Sequence, residues 1–286
     1  MKIGVVGLGA VGSAMRKLFP DAVGYDEPLG VGSRDEINRC KVVFVCVPTP
    51  SGADGACDTS IVESVVDWID GPVIAIRSTV SVGTTTRLAR TSGKKIVFQP
   101  EYGPAETPDH PFNDLRQVRW LILGGDRDAC GIVARAWKDV YSSDIRIATT
   151  TAETAELCKY MENAFLATKV TFCNEFFGIA EALQIDYDEL RELWLMDPRI
   201  GRSHTFVYPD KRGFGGKCLP KDLSAIISIA DETGYAALFL RAVMAANLRF
   251  RPASVSGESL APITMVESTA DDGNGARSAK QLLKER

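Results

Sequence analysis

Histidine is nearly absent from this sequence. His110 and His204 are the only two among 286 residues, and the seven cysteines are scattered without a Cys-x-x-Cys pair. A His-rich metal site and a zinc ribbon are thereby excluded, and so is a disulfide framework, since the cysteine count is odd and unpatterned. No apolar run reaches the roughly 20 residues that cross a bilayer. The first residues open directly on a strand-like run, Lys2-Ile3-Gly4-Val5-Val6, with none of the features of a signal peptide. Positive charge is not in excess either. A net charge of −4 leaves no polycationic footprint for nucleic acid or an anionic membrane. These absences predict a cytoplasmic protein that holds no metal and acts on a small molecule.

Apolar residues are plentiful. At 45% of the chain they suffice for a packed core and, at this length, for two domains. Residues 3–6, 22–25, 42–47, 73–76, 96–99 and 120–124 read as strands, several of them continuously apolar, as in a parallel sheet buried on both faces. Helical periodicity fills residues 11–19, 61–69, 84–91 and 128–140. The alternation predicts a Rossmann-type, doubly wound α/β domain over residues 1–150. A long helical pattern over 151–183 then begins a second domain, residues 151–250, with further helices at 187–195, 221–233 and 236–249. A helix of such length exceeds the globular average and offers a surface on which a homodimer could form. Residues 251–286 are polar and predict a disordered tail with a short helix at 279–284.

The turn after the first strand is Gly7-Leu8-Gly9-Ala10-Val11-Gly12. The pattern assigns Gly7 to the tight turn, Gly9 to close approach of a pyrophosphate and Gly12 to helix–strand packing. Asp26 ends the second strand, nineteen residues after Gly7, where a carboxylate accepts from ribose hydroxyls and repels a 2′-phosphate. NAD is therefore the expected cofactor.

One cysteine stands apart. Cys218 lies in Lys211-Arg212-Gly213-Phe214-Gly215-Gly216-Lys217-Cys218-Leu219-Pro220-Lys221-Asp222, where three glycines would let backbone approach a ligand and a helix begins near Pro220. A thiol at a helix start between two lysines favours the thiolate. The residues alone fit a tight turn with an incidental cysteine equally well. The other six cysteines read as small core residues.

The Gly-Phe-Gly-Gly-x-Cys run followed by Lys-Asp resembles the active-site loop of the UDP-glucose/GDP-mannose dehydrogenase family. Further landmarks stand in order: the glycine turn at 7–12, Val45-Cys46-Val47-Pro48-Thr49-Pro50, Ser78-Thr79-Val80, Pro100-Glu101, Ala155-Glu156-Leu157-Cys158-Lys159, Asn163-Ala164-Phe165 and Asp197-Pro198-Arg199-Ile200-Gly201. Together they span residues 1–250. The resemblance implies oxidation of a nucleotide sugar at C6, from alcohol to carboxylate, with two NAD and a covalent intermediate on Cys218. It implies that Lys159 and Asn163 stabilise the developing oxyanion, that Asp222 and Thr79 position a proton-transfer water, and that Glu101 activates water for thioester hydrolysis. It sets Ala10, Val11, Val47, Pro48, Thr49 and Thr79 against the cofactor. Arg199 it places on the substrate of a neighbouring subunit, and Tyr208 and Gly215, with Phe206 and Lys211, beside the sugar nucleotide. Without it, Lys159 and Asp222 would pass for solvated helix charges.

The resemblance also has gaps. Family members carry a further C-terminal nucleotide-binding domain, which residues 251–286 are too short and too polar to be, and the pattern around Glu106 departs from the family's. UDP-glucose is the expected substrate, with GDP-mannose, UDP-N-acetylmannosamine, a two-electron β-hydroxyacid oxidation and a non-catalytic nucleotide-binding subunit as alternatives.

Overall fold

A computed structural model describes residues 1–52, 54–103, 114–141 and 145–251. Glu106, His110 and the expected tail lie outside the described residues. The first half runs β1 (Ile3–Val6), α1 (Ala10–Leu18), β2 (Val23–Tyr25), α2 (Arg34–Asn38), β3 (Val42–Val45), α3 (Ser60–Trp68), β4 (Val73–Ile76), α4 (Thr84–Ser92), β5 (Ile96–Phe98), β6 (Trp120–Gly125), α5 (Arg127–Tyr141) and β7 (Arg146–Thr150). The strands form one sheet in the order β2-β1-β3-β4-β5-β6-β7. In β1, β3 and β4 every residue is buried. Alternate side chains serve opposite layers, as the pleat requires. Val5, Phe44, Ala75 and Val97 pack with α1 and α5, whereas Val6, Val43, Ile74 and Ile96 pack with α2, α3 and α4.

Three features depart from the sequence reading. β6 runs antiparallel to β5, so the sheet is mixed rather than wholly parallel. A strand's direction comes from the path of its connection, which hydrophobic periodicity does not encode. β7 was not anticipated because Arg146-Ile147-Ala148-Thr149-Thr150 is a mostly exposed edge strand without an apolar run. The short α2 was also missed. Its Ser33 cap, with Oγ accepting from Glu36 N, carries more of the helix signal than its five residues do.

The second half comprises α6 (Ala152–Ala182), α7 (Tyr187–Trp194), α8 (Leu219–Glu232) and α9 (Leu238–Phe250). Ala164 and Ala167 of α6 share a core with Leu223 and Ile227 of α8 and Val243 and Met244 of α9. α6 reaches the sheet closely because Gly124 has no side chain; a Cβ there would lie 2.6 Å from both Ala155 Cβ and Thr151 O. Glu156, fully buried, fixes the joint. Its Oε2 accepts from Gly83 N at 2.6 Å and its Oε1 from Thr85 N at 2.9 Å, so one carboxylate of α6 caps the start of α4.

Burial raises the Glu156 pKa against the opposing effect of those amides. Glu156→Ala strands both N–H groups and is expected to cost about 2 kcal/mol or more of stability. With a raised folded pKa, the native state binds the extra proton. Glu156's contribution is then full below 4.5, its ordinary value, and declines as pH rises through the folded pKa. Melting curves of both proteins from pH 4 to 8 should show the gap narrowing upward; a gap that widens contradicts this.

Candidate functional site

The carboxyl ends of β1, β3, β4 and β5 gather the glycine turn, Val47 to Thr49, Thr79 and Glu101 on one edge of the sheet, the side on which open α/β sheets bind ligands. Gly7 adopts φ +85°, and a Cβ on it would sit 2.7 Å from Cys46 O. A Cβ on Gly12 would fall 1.8 Å from Gly7 O, so α1 starts flush against the turn. Gly9, in contrast, meets nothing within 4 Å while capping α1. Open space before a helix N-terminus is what a pyrophosphate needs. Ala10 and Val11 form the first turn beside it. Asp26 Oδ2 accepts from Leu8 N at 2.7 Å and Oδ1 from Leu29 N at 3.1 Å. The carboxylate thus fastens the glycine turn, a role its sequence position did not show, and keeps lone pairs for ribose hydroxyls. Ser78 Oγ donates to Val47 O at 2.6 Å, tying the ends of β4 and β3 together beside exposed Pro48 and buried Thr49. The residues present fit a dinucleotide.

On the helical side, Lys159 and Asn163 stand one turn apart on the buried face of α6. Lys159 Nζ donates to Asn163 Oδ1 at 3.2 Å, and Asn163 Nδ2 donates to Asp222 Oδ2 at 2.5 Å. Lys221 Nζ lies 2.6 Å from the other oxygen, Asp222 Oδ1. Lys159, Asn163 and Asp222 are 9%, 5% and 1% exposed, which rules out solvated helix charges. A buried charge persists only when paired and hydrogen-bonded, and this chain of contacts pairs them. Asn163 keeps one N–H and Lys159 two for a further acceptor. The Lys159 ammonium also faces the Tyr102 ring at 5.2 Å.

Cys218 caps α8, and its carbonyl accepts from Asp222 N at 2.8 Å. The hydrogen-bonded chain therefore ends one turn from the thiol. Cys218 is the one exposed cysteine. Burial pushes Cys46 up to about 12 and Cys130 up to about 11, and raises Cys40, Cys57 and Cys173 as well, so these remain thiols. Cys57 joins the two halves of the site: its thiol donates to Thr79 O at 3.2 Å, and it packs with Tyr160 of α6 and Ala225 of α8.

The glycine loop before Cys218 is packed against α9 and the α9 C-terminus. A Cβ on Gly213 would lie 2.5 Å from Asn247 Oδ1, and one on Gly215 would lie 1.5 Å from Arg251 Nη1. On their Cβ side these glycines make room for the protein's own side chains. Asn247, 3% exposed, accepts from Phe214 N at 2.7 Å and donates to Phe214 O at 3.0 Å. Asn174, 1% exposed, accepts from Gly213 N at 3.0 Å and from Arg212 Nε at 2.7 Å. Sequence reasoning missed both asparagines. The available signal was an amide at an apolar position of each helix, where it must read backbone.

Other expected residues stay apart from the cluster. Arg199 pairs with Asp197 at 2.5 Å and its side chain is 86% exposed. Tyr208 is largely exposed, and Phe206 is also exposed, with the Arg191 and Arg202 guanidiniums over its ring at 4.1 and 5.3 Å. Within one chain these three do not meet Lys159 or Asp222.

A dinucleotide-binding sheet followed by a helical unit, with a buried Lys–Asn–Asp chain beneath a helix-capping cysteine, defines the class. The chain belongs to the UDP-glucose/GDP-mannose dehydrogenase family: residues 29–144 match its NAD binding domain and residues 153–249 its central domain. It is 33% identical over 226 residues to the UDP-glucose 6-dehydrogenase of Pseudomonas aeruginosa, covering 73% of this chain and 49% of that protein. A UDP-glucose dehydrogenase from Pyrobaculum islandicum superposes with a TM-score of 0.74 at 26% identity, over 87% of this chain and 68% of that one. UDP-D-ManNAc dehydrogenase from Pyrococcus horikoshii gives 0.73 at 25%, over 87% and 69%. The chain spans about half the length of the curated relatives it matches. No described helix is long and apolar enough to cross a membrane, and no metal-ligand cluster occurs among the described residues.

Proposed function

We propose that this chain carries the catalytic apparatus for NAD-dependent, four-electron oxidation of a nucleotide sugar at C6, with UDP-glucose as substrate and UDP-glucuronate as product. The buried Lys159–Asn163–Asp222 chain ending at Cys218 carries the reading. NAD, when bound, accepts the hydride in each oxidation. Asp222, held by Asn163 and Lys221, orients with Thr79 the water that removes the C6 hydroxyl proton. The Cys218 sulfur then bonds to C6 of the aldehyde, and the oxygen that gains charge takes the free N–H groups of Lys159 and Asn163. Oxidation of the thiohemiacetal leaves a thioester, and Glu101 directs water to it. The UDP-glucose 6-dehydrogenase relatives favour UDP-glucose. The Pyrococcus structure keeps UDP-N-acetylmannosamine in contention. Incubating the purified chain and NAD with UDP-glucose, UDP-N-acetylmannosamine or GDP-mannose tests the choice; NADH with UDP-glucose at the highest kcat/KM is expected, and preference for another sugar overturns it.

Asp26→Ala removes the ribose acceptor and the Leu8 anchor together. NAD binding should weaken about 10-fold or more, the scale of a lost charged hydrogen bond, with the preference over NADP narrowing in parallel titrations. Unchanged affinity would dismiss the assigned role.

The proposal includes a homodimer formed through α6. Leu157, Met161, Phe165, Phe172, Phe176, Ile179 and Leu183 are all exposed along one stripe of that helix, opposite the face bearing Lys159. A helix apolar on both sides seeks a second partner. A dimer would also give Arg199 a substrate to meet across the interface. Sedimentation should show a dimer, and Met161→Glu with Phe165→Glu a monomer; a wild-type monomer at micromolar concentration contradicts it.

A further inference from the structure

The pair Arg77–Glu101 lies outside the hydrogen-bonded chain just described. Arg77 directly follows β4 and Glu101 comes shortly after β5, on neighbouring parallel strands, so the two meet at the ligand-facing edge of the sheet. Arg77 is 4% exposed, and its Nη2 donates to Glu101 Oε2. Glu101 Oε1 accepts from Tyr102 N at 2.9 Å and Gly103 N at 2.8 Å. Of about four lone-pair positions on a carboxylate, three are filled. The remaining one fixes where a water can dock on Glu101.

The rest of the guanidinium is the telling part. It rests over the Trp137 ring at 5.4 Å, while its Nε and Nη1 are buried without a hydrogen-bond partner. Gln99, fully buried, accepts from Trp137 Nε1 at 3.1 Å and leaves Nε2 unpartnered. Arg77, Gln99, Glu101, Tyr102, Trp120 and Trp137 line a common cavity of about 10 Å³. Unmade bonds on buried donors are costly, and Arg77 and Gln99 offer only donors here. Their missing partner must accept hydrogen bonds and fit the space of one water, which excludes a phosphate or a sugar. A water there gives the vacant donors of Arg77 and Gln99 an acceptor and so holds the guanidinium that grips Glu101.

We propose that this cavity binds a single ordered water that holds the Arg77 guanidinium, and that Arg77, by its direct bond, is a positioning residue for Glu101 in thioester hydrolysis. The inference rests on the role given to Glu101 above. In that step a second water docks on the open lone pair of Glu101. Its oxygen bonds to the thioester carbon, the C–S bond breaks with the electron pair leaving on Cys218 sulfur, and the water's proton passes to Glu101.

Arg77→Lys keeps a charge and loses the fork that reaches both Glu101 and the cavity. In rapid mixing with NAD and UDP-glucose, the variant should still release a burst of two NADH per site. Subsequent turnover should drop about 100-fold, the scale of a displaced general base, with an acyl adduct accumulating on Cys218 by intact mass. Equal loss of burst and turnover, or absence of the adduct, overturns the proposal. Against misfolding of that variant, Arg77→Met in a Glu101→Gln background removes both charges. It should slow hydrolysis no further than Glu101→Gln alone, and a second loss as large would show that Arg77 does not act through Glu101. A crystal structure should show a water within hydrogen-bond distance of Arg77 Nε and Gln99 Nε2; a dry cavity contradicts the site. A wild-type chain that makes no NADH from any nucleotide sugar overturns the underlying reading, and this proposal with it.

Discussion

Cys218→Ser is expected to lower carboxylate formation from UDP-glucose by about 1,000-fold or more, the scale of a lost nucleophile. A serine hydroxyl at this helix start is a far weaker nucleophile than a thiolate, so no thioester forms and the second oxidation has no route. The first oxidation does not use the sulfur and should survive in part, leaving aldehyde-level product and at most one NADH per sugar. The fold should not suffer, because the side chain is exposed at the cap of α8 and its backbone carbonyl still accepts from Asp222 N. Product analysis by mass, alongside NADH counting, reads both quantities at once. Wild-type rates of carboxylate would remove Cys218 from the mechanism.

Lys159→Met should show a comparably large loss from a different cause. In the proposed mechanism the ammonium is a donor to the reacting oxygen, and deleting one preorganised donor of this type slows the chemical step by about 100- to 1,000-fold. Methionine fills the volume and needs no partner; Asn163 Oδ1 loses its donor, while Asp222 keeps both of its partners, Asn163 and Lys221. The loss should fall mainly on kcat, with a smaller change in KM, because the oxyanion develops only on the way to the transition state. A change confined to KM would recast Lys159 as a ground-state binding residue.

How much of this was readable beforehand depends on what each residue's signal is made of. The glycine turn and Asp26 were legible because the strand, the turn and the acidic residue occur at spacings that only local geometry dictates. Buried strands were legible for the same reason: Val42 to Val45 has no polar residue to place outward. The orientation of β6 and the presence of β7 were not, since they depend on connections and on an exposed edge. Lys159 and Asp222 look like surface charges in a helix pattern, and only the ordered set of motifs singled them out. The geometry gives the physical reason, a hydrogen-bonded chain through Asn163 that compensates both charges. Asn174 and Asn247 had no local signal beyond an amide among apolar neighbours. Their loop glycines, Gly213 and Gly215, were noticed, but a sequence shows that space is needed without showing that Asn247 and Arg251 fill it.

Those contacts add to the picture of Cys218. The loop that presents it is fastened from behind by Asn174, Asn247 and Arg251. A loop so held presents one thiol at one helix start.

The most direct test of the account counts electrons. The purified chain is supplied with limiting UDP-glucose and excess NAD, and NADH is measured to completion against sugar consumed, with the product identified by mass. Two NADH per sugar and a C6 carboxylate, together with a transient adduct on Cys218, are the predicted result. One NADH per sugar with a product that stops at the carbonyl would contradict the four-electron mechanism built on Cys218.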